Sequence, residues 1–528
     1  MRFNAIFRST LLFIWFLLFV LPLAQAQPFY PTYVKEPLVQ ENSFLNIAPN
    51  LSAPPAFEQA KAKLPEVIWE DRPDVMAAYW KAWELAFSNL KSADPKNGFI
   101  SPYVDPAFNG NIFMWDCSFM MMYGKYARSA FDFQQTLDNF YTKQHPDGFI
   151  CREIRGEDGT DVFHRFDPSS TGPNIMPWAE WEYFKNFNDT DRLTKVFPVL
   201  LAYYNWYAHH RRWPDGTYYS SGWGCGMDNQ QRASDEYDAA FSHGFMSWID
   251  ISFQELYAAR ILIEMAEVLG RETEVLHLKA QRKQLAAQIN AFQWDEEKQY
   301  YFDRYNSGEL NSTMSIGAYW GLLAETIPES RAEAMILHLQ DSSKFARKHR
   351  VPTLSADDPN YEPNAGYWNG AIWAPTTYMV LRGLSATDYD SLAYQIARNH
   401  LENVTEVFNE TNTFWENYAP DEVKGEFKSD FVGWTGLAPI SVLLEYVFGI
   451  RPNVPANELL IDVNLLDAYA VNKYPFGTEG LLHISCEKRK DKHQRPQINI
   501  SSNIPLKVKV KWGEQYVEHF IEAGKHSL

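Results

Sequence analysis

The stretch WPDGTYYSS (213–221) follows a segment with helical spacing and decides how the chain is organised. It is a turn followed by alternating residues, which is the pattern of a short hairpin at the exit of a helix. Two similar units occur elsewhere, HPDGFICRE (145–153) and WDEEKQYYFD (294–303). Repetition of a helix pair with such an exit predicts that equivalent helical hairpins stack side by side.

Apolar residues recur at helical spacing over most of the chain from about 74 to 450. The predicted helices lie near 75–91, 116–127, 129–144, 175–187, 191–212, 246–269, 272–292, 311–324, 328–341, 370–383, 387–403 and 431–449. Twelve helices in six pairs predict a double ring, an (α/α)6 barrel, over residues 74–452. An open helical solenoid is the alternative. The irregular, aromatic-rich loops favour closure, because such loops would line the mouth of a central pocket.

The two ends of the chain differ from the helical region in composition and in the spacing of apolar residues. Residues 27–73 are rich in proline and asparagine and predict an extended N-terminal arm. Residues 453–528 alternate in the manner of strands and predict a small antiparallel β module. The fold class expected from the sequence is therefore mainly α, an (α/α)6 barrel followed by a C-terminal β module.

Residues 1–26 have the pattern of a secretory signal peptide. Arg2 and Arg8 supply the basic start, an apolar run follows, and Ala24-Gln25-Ala26 forms a small-x-small cleavage site. An uncleaved anchor helix is the alternative, although the uninterrupted apolar run is short for a membrane span. We expect a secreted or periplasmic protein that begins at Gln27 and has no membrane association after cleavage.

Charge and cysteine content narrow the possible partners. Loss of residues 1–26 removes two arginines and no acidic residue, so the net charge changes from −18 to −20. Such an acidic chain is a poor match for nucleic acid. Cys117, Cys151, Cys225 and Cys486 follow no metal spacing, and either disulfides or buried thiols are compatible with secretion. The sequence contains no H-E-x-x-H zinc motif and no phosphate-binding loop, so we expect no metal or cofactor.

Aromatic residues make up 16% of the chain, and several lie beside acids and amides. Indole rings can stack on the apolar C–H faces of sugars, whereas sugar hydroxyls need fixed hydrogen-bond partners. Hydrolysis of an acetal needs two carboxyl groups, one to protonate the leaving oxygen and one to act on water or carbon. Asp228 in SSGWGCGMDNQQR (220–232) and Glu416 in TFWENYAP (413–420) are candidates, since apolar neighbours raise the pKa of a carboxyl.

Five segments resemble the trehalase and processing α-glucosidase clan of glycoside hydrolases, including family 63 and its mannosylglycerate hydrolase branch. The segments are WDCSF (115–119), GMDNQQR (226–232), YWNGAIW (367–373), FWENYAP (414–420) and FVGWT (431–435). The resemblance covers most of residues 110–450. It implies an (α/α)6 barrel and an inverting, exo-acting α-glycosidase of oligosaccharides, with Asp228 as general acid and Glu416 as general base.

The same resemblance implies which residues contact the sugar. Asp116 would hold hydroxyls of the terminal sugar, and Trp368 and Trp373 would form the walls of its subsite. The expected substrate-binding residues are Trp115, Asp116, Arg165, Trp223, Asn229, Tyr367, Trp368, Asn369, Trp373, Trp415 and Trp434.

One substitution in the family pattern concerns a positive charge. Asn369 stands where relatives carry an arginine, so the sequence leaves the sugar of the −1 subsite open. Arg165 is the candidate replacement cation, and a structural salt bridge to Asp167 or Glu180 is its alternative role.

Two other classes of protein compete with the hydrolase interpretation. A polysaccharide lyase can also combine a helical toroid with a β domain, but it needs a cationic or metal partner for a uronate, which an acidic chain supplies poorly. A secreted glycan-binding protein without activity has no need of a carboxylate pair, so the presence of both Asp228 and Glu416 argues against this class.

Overall fold

Helices are the main regular structure between residues 57 and 447 in the computed structural model, which describes residues 34–234 and 236–528. The α-helices are α1 (Phe57–Ala60), α2 (Pro73–Ser88), α3 (Met114–Gly124), α4 (Asp138–Tyr141), α5 (Met176–Phe187), α6 (Thr190–His210), α7 (Gly222–Cys225), α8 (Ile249–Leu269), α9 (Leu276–Phe292), α10 (Trp320–Ala324), α11 (Glu329–His338), α12 (Ala374–Ala386) and α13 (Asp390–Thr411). A 3-10 turn, Trp434–Leu437, leads into a π-helix, Ala438–Val447.

Most predicted helices are present, and three differ in form. The predicted helix 129–144 starts only at Phe133, where the Asp132 side chain caps the chain, and it consists of a 3-10 turn, Phe133–Thr136, and the single turn α4. The predicted helix 311–324 begins only at Ile316. The predicted helix 431–449 is confirmed as helical but is wound as a π-helix over ten residues, a form that spacing alone does not distinguish.

The helices pack in a definite cycle. Helix α3 packs against α5, α5 against α8, α8 against α10, and α10 against α12. Helix α12 contacts the turn Trp434–Leu437, and that turn contacts α3. Each described member of the cycle therefore contacts the next, and the last contacts the first.

A second set of helices lies against this cycle. Helices α6 and α9 both pack on α8, and α13 packs on α12 and on the π-helix. Helix α8 is buried along most of its length, whereas α9 buries only Leu278, Leu285 and Ile289. A helix that is apolar all round belongs to an interior, and one with a single apolar stripe belongs at a surface.

The recurrent exit turns form as the sequence predicts. In HPDG the backbone N–H of Gly148 donates to the carbonyl of His145, and in WPDG that of Gly216 donates to Trp213. Both glycines have positive φ, 96° and 99°, which only a residue without a Cβ adopts without strain. The third unit closes as a two-stranded ribbon, Trp294–Asp295 with Tyr300–Tyr301.

The strands are short before residue 450 and longer after it. They are β1 (Glu66–Ile68), β2 (Leu90–Lys91), β3 (Tyr103–Val104), β4 (Ile112–Phe113), β5 (Glu153–Ile154), β6 (Met246–Ser247), β7 (Trp294–Asp295), β8 (Tyr300–Tyr301), β9 (Arg304–Tyr305), β10 (Trp415–Tyr418), β11 (Gly425–Ser429), β12 (Ile450–Asn453), β13 (Glu458–Asp462), β14 (Tyr469–Phe476), β15 (Gly480–Cys486), β16 (Ile498–Ser502), β17 (Leu506–Trp512), β18 (Gln515–Ile521) and β19 (Gly524–Ser527).

The C-terminal strands form two sheets, ordered β1-β14-β15-β16-β19 and β12-β13-β17-β18. The prediction of an antiparallel module is correct except for one pair, since β13 and β17 run parallel. The chain leaves β13 to build the other sheet and returns by a long connection, which is what a parallel pair requires. The N-terminal arm is not wholly extended, because it contains α1 and supplies β1 to the first sheet.

The remaining expectations concern the signal segment, membrane spans and the four cysteines. The proposed signal segment, residues 1–26, lies outside the described residues. Within the described ranges, no helix combines the length and the apolarity needed to cross a bilayer. All four cysteines are described, and each is a buried thiol, so the disulfide alternative is not realised in this structure.

A buried ion cluster holds the segment that carries Asp228. The Arg232 guanidinium lies 2.6 Å from a carboxylate oxygen of Asp250 and 2.6 Å from one of Asp303. Asp250 lies in the first turn of helix α8, and Asp303 also accepts a hydrogen bond from the backbone N–H of Ile249 at the same helix N-terminus. All three charged side chains are almost completely buried, so each depends on the others for the solvation that water would supply.

Arg232→Met is expected to lower the free energy of unfolding by about 3–5 kcal/mol, because it leaves two carboxylates buried without their cation. Urea unfolding followed by tryptophan fluorescence measures the change. Lys279→Met is the control, since its ion pair with Glu267 is half exposed and contributes at most about 1 kcal/mol. A loss for Arg232→Met no larger than that of the control would contradict the structural role of the cluster.

Candidate active site

A cavity of about 290 Å³ brings together most of the residues predicted to bind or act on a sugar. The predicted residues that line it are Trp115, Asp116, Trp223, Asp228, Tyr367, Trp368 and Trp434. They come from segments up to 319 positions apart in sequence, and the walls combine indole rings with carboxyl groups. This is the composition expected of a site for a small, largely neutral polar ligand.

Asp228 reaches the cavity from a tight backbone bend. Helix α7 is capped by the Ser221 hydroxyl and ends at Gly226, whose φ is 79°. A Cβ at Gly226 would lie 3.2 Å from a ring carbon of Trp115, so glycine also allows the chain to pass close to that indole. Burial raises the pKa of Asp228 to about 6; the charge of Arg152 opposes the shift and that of Glu153 reinforces it.

Glu416 lies on strand β10 and is buried. The Tyr367 hydroxyl donates to its carboxylate at 2.8 Å, and the indole N–H of Trp434 donates to its backbone carbonyl at 2.9 Å. Burial raises the pKa of Glu416 to about 7, the hydrogen bond from Tyr367 acts in the opposite direction, and the charge of Asp228 raises it further.

The two carboxyl groups therefore influence each other. Apolar neighbours predict a raised pKa for both acids, and both are raised. The prediction that Asp228, as the proton donor, is the one with the raised pKa is wrong, because the pKa of Glu416, about 7, lies above that of Asp228, about 6. Two carboxylates that interact share their protons, so the pair releases them in two steps that belong to neither residue alone. A proton on either carboxyl removes the repulsion between the two, and the predicted roles need the state with the proton on Asp228 and Glu416 ionised. That state has one acid and one base.

Asp116 lies in the first turn of helix α3, with its side chain buried in the wall of the cavity. Its Oδ1 atom has no hydrogen-bond partner among the described residues. Burial raises the pKa of Asp116 well above its usual value, and Arg152 acts against that shift. A buried acceptor without a partner is costly, and a hydroxyl of a bound ligand would satisfy it.

The loop that contains Tyr367 and Trp368 is held in an unusual backbone conformation. Tyr367 has a φ of 59°, a region that bulky residues rarely occupy. The ring of Trp368 lies flat on that of Trp373, with centroids 3.7 Å apart, and the Trp373 indole donates to the carbonyl of Tyr367 at 3.1 Å. Trp368 therefore faces the cavity and Trp373 supports it from behind. Trp373 is absent from the described cavity lining, unlike the prediction.

The amides predicted to bind sugar hydroxyls instead join two loops. Asn229 accepts from the backbone N–H of Trp368 at 2.9 Å and donates to the carbonyl of Gly366 at 3.2 Å. Asn369 accepts from the backbone N–H of Gln231 at 3.2 Å and donates to the carbonyl of Asn229 at 3.3 Å. Both side chains are used in fixing the Asp228 loop to the Tyr367 loop, so their predicted role as direct sugar ligands is not supported by these contacts.

Arg165 is not the cation of this site. Its guanidinium pairs with Asp147 and contacts His145, and it does not line the cavity. The alternative of a structural salt bridge was correct in kind, but the partner is neither Asp167 nor Glu180. The HPDG turn brings Asp147 to Arg165, a contact that the spacing of the two residues in sequence does not reveal.

Trp415 also lies outside the described cavity lining. Its indole N–H donates to the Thr411 hydroxyl at 3.3 Å, and its ring packs on Gly425 of the facing strand. Glu416 is itself not among the described lining residues, and it meets the cavity through Tyr367. Neighbouring residues on a strand point to opposite faces, so a strand that directs Glu416 toward Tyr367 directs Trp415 away.

Several lining residues were not predicted. Arg152 and Glu153 occupy the HPDGFICRE unit, which the sequence marks as a hairpin, and their charges act on Asp228. Phe108, Asn109 and Phe113 also line the cavity. The sequence does contain a signal for this pair. Arg152 and Glu153 end one of three similar units, and the other two units lack an Arg-Glu pair at this position, so the pair could have been identified as a candidate for the site.

Comparison with known proteins identifies the family of this chain. Residues 111–435 match the family described as the mannosylglycerate hydrolase MGH1-like glycoside hydrolase domain. The chain belongs to this family and is therefore a glycoside hydrolase. This membership decides against the lyase.

Individual relatives are distant in sequence. A probable mannosyl-oligosaccharide glucosidase of Schizosaccharomyces pombe is 25% identical over 46% of this chain and 34% of its own length. Mannosylglycerate hydrolase of Thermus thermophilus is 21% identical over 54% of this chain and 85% of its own. A crystal structure of GH63 mannosylglycerate hydrolase from another strain of that species, in complex with glucose, superposes with a TM-score of 0.56 at 19% identity, covering 68% of this chain and 98% of that one. The chain thus spans about a third of the yeast glucosidase.

Tyr367→Phe is expected to move the pH optimum of kcat/KM upwards and to reduce its maximum. The phenol donates to the ionised carboxyl of Glu416, so its loss raises the pKa of Glu416. The parent protein should show a bell-shaped profile with an optimum between about pH 6 and 7, the values to which the two carboxyls are shifted.

The pH dependence of kcat/KM, measured for the parent protein and for Tyr367→Phe with an aryl α-glycoside as substrate, gives the shift. Tyr516→Phe is the matched control, because Tyr516 is an exposed phenol in the C-terminal sheet. An optimum that stays in place or moves to lower pH would show that the hydrogen bond does not stabilise the ionised base.

Proposed function

We propose that the protein is a secreted, inverting, exo-acting α-glycosidase that hydrolyses oligosaccharides by general acid and base catalysis. The observation that carries this proposal is a cavity walled by tryptophans that contains two carboxyl groups in or beside its lining. Asp228 lines the cavity, and Glu416 accepts a hydrogen bond from the lining residue Tyr367. The pKa of each carboxyl is raised. An acid and a base with pKa values near neutrality are what acetal hydrolysis requires.

In the proposed reaction, Asp228 gives its proton to the glycosidic oxygen while Glu416 takes a proton from water. Water attacks the anomeric carbon as the bond to the leaving oxygen breaks, and the configuration at that carbon inverts. Tyr367 orients the carboxyl of Glu416 and favours its ionised form. Asp116 accepts a hydrogen bond from a hydroxyl of the sugar, and Trp368 stacks on the ring.

The size of the cavity favours action at the end of a chain. Its volume, about 290 Å³, lies at the lower limit of the roughly 300–1,000 Å³ of ordinary ligand pockets. Such a space holds a terminal sugar, whereas an internal segment needs an open groove. Relatives act, by their names, on mannosylglycerate or on mannosyl-oligosaccharides, and we propose neutral α-glucosides or α-mannosides as the substrate class.

The cyclic packing of the helices supports an (α/α)6 barrel as the scaffold. Its inner ring would consist of α3, α5, α8, α10, α12 and the helical segment 434–447, the members of the contact cycle. Asp116 and Trp434 begin inner members of that cycle, and Tyr367 precedes another, so the cavity would lie at one mouth of the ring.

Asp228→Asn and Glu416→Gln are each expected to reduce kcat at least about a hundredfold with a small change in binding, because both groups act in the transition state. Proton NMR of fresh product should first show the anomer of inverted configuration. Tyr516→Phe again serves as control. Retention, or near-normal turnover of either variant, would overturn the assignment of the acid and the base.

We further propose that the mature protein begins at Gln27 and is exported. The basis is the Ala24-Gln25-Ala26 site after the apolar run. N-terminal sequencing of protein recovered outside the cytoplasm should start at Gln27, and replacing Ala26 with Gln should leave residues 1–26 attached. Exported protein that retains these residues in the parent sequence would contradict cleavage.

A further inference from the structure

A second cavity, of about 480 Å³, lies beside the WPDG turn that exits helix α6. The catalytic cavity and this one share no lining residue within residues 34–234 and 236–528. The proposed hydrolysis uses no side chain of the turn at 213–216.

Three aromatic side chains line the second cavity. Trp213 comes from the turn, Tyr305 from strand β9, and Phe245 from the segment that follows α7. The indole N–H of Trp213 donates to the carbonyl of Met246 at 2.9 Å, which fixes the plane of the ring. Aromatic faces with a fixed orientation are suited to the C–H face of a sugar.

Phe245 is partly exposed and has an unfavourable backbone conformation. The residue is 47% exposed, and its backbone has a φ of 50°, a region that phenylalanine rarely adopts. The ring packs on those of His243 and Tyr237, with centroids 4.7 Å and 5.7 Å away, and about half of its surface stays exposed. A ligand in the cavity would cover the exposed part of the ring.

Polar side chains complete the lining with a balanced charge. Arg304 lies 3.7 Å from a carboxylate oxygen of Asp215, and Gln288 donates to the same carboxylate at 3.4 Å. Asn306 contributes a side-chain amide to the lining as well. Planar amide and guanidinium groups present several hydrogen-bonding atoms to neighbouring hydroxyls, and the paired charges favour an uncharged ligand.

One segment joins the two cavities. The ring of Phe241 packs on Trp223 of the catalytic cavity, with centroids 4.7 Å apart. Two residues further on, His243 packs on Trp213, and Phe245 then enters the second cavity. The cavities thus lie along the same segment, 241–245, so a ligand in one lies near the other.

We propose that this second cavity is a non-catalytic binding site for a neutral oligosaccharide. Trp213, Phe245 and Tyr305 would stack on sugar rings, and Asp215, Gln288, Arg304 and Asn306 would bind their hydroxyls. The site would hold a glycan next to the catalytic cavity and raise the local concentration of chain ends. Binding there needs no hydrolysis, so this proposal is independent of the proposed function.

The test compares two full-length proteins on a printed array of neutral and acidic oligosaccharides. One carries Glu416→Gln, so that bound glycans are not cleaved, and the other carries Glu416→Gln with Phe245→Gly and Gln288→Ala. Glycine fits the positive φ at 245, so the fold should be kept, and the thermal midpoint checks this. We expect at least one neutral glycan to bind ten times more weakly or worse to the triple variant.

Two controls separate this site from the catalytic one. Phe520→Ala removes an exposed phenylalanine in the C-terminal sheet and should leave every array signal unchanged. Phe245→Gly with Gln288→Ala in the active protein should keep kcat/KM for a short aryl glycoside within twofold. If the protein hydrolyses nothing but the array difference persists, the proposed function fails and the second site stands. Neutral glycans that bind both array proteins equally, or bind neither, overturn the second site.

Discussion

Arg232 between Asp250 and Asp303 is the constraint on which the site depends. It attaches the end of the Asp228 loop to the N-terminus of helix α8, which is buried along most of its length. Such a cluster contributes little net stability compared with an apolar replacement, and it is costly to break. Its use here is positional, because bidentate contacts to two carboxylates allow the guanidinium one orientation. The loop that follows Gly226 thereby has a fixed end.

The loop is also fixed from its other side. The amides of Asn229 and Asn369 connect it to the Tyr367 loop, and Gln230 donates to the carbonyls of Thr353 and Trp368. Tyr367 in turn bonds to Glu416. The acid and the base are therefore linked through one network of hydrogen bonds, although they are 188 positions apart in the chain. A rigid link of this kind keeps two carboxyls in the geometry that their reaction needs.

Burial governs the chemistry of the pair as well as its position. Removal from water is the largest cause of the raised pKa of Asp116, Asp228 and Glu416. Arg152 is the nearby cation that opposes the shift at Asp116 and Asp228. Carboxyls that are shifted in this way hold protons near neutral pH, which suits catalysis by proton transfer. The second cavity differs in its electrostatics, since its carboxylate, Asp215, forms an ion pair with Arg304.

The sequence by itself determined the helical repeat, the β region after residue 450, the family and the acid-bearing loops. These features depend on local patterns: apolar spacing, turn glycines and short motifs around Trp115, Asp228 and Glu416. Tertiary structure alone decided which side chains face the cavity. Arg152 rather than Arg165 enters it, Trp368 rather than Trp373 lines it, and Asn229 and Asn369 bond to loops. The physical reason is that a side chain's partners come from distant segments, and no local pattern records which segments the fold brings into contact.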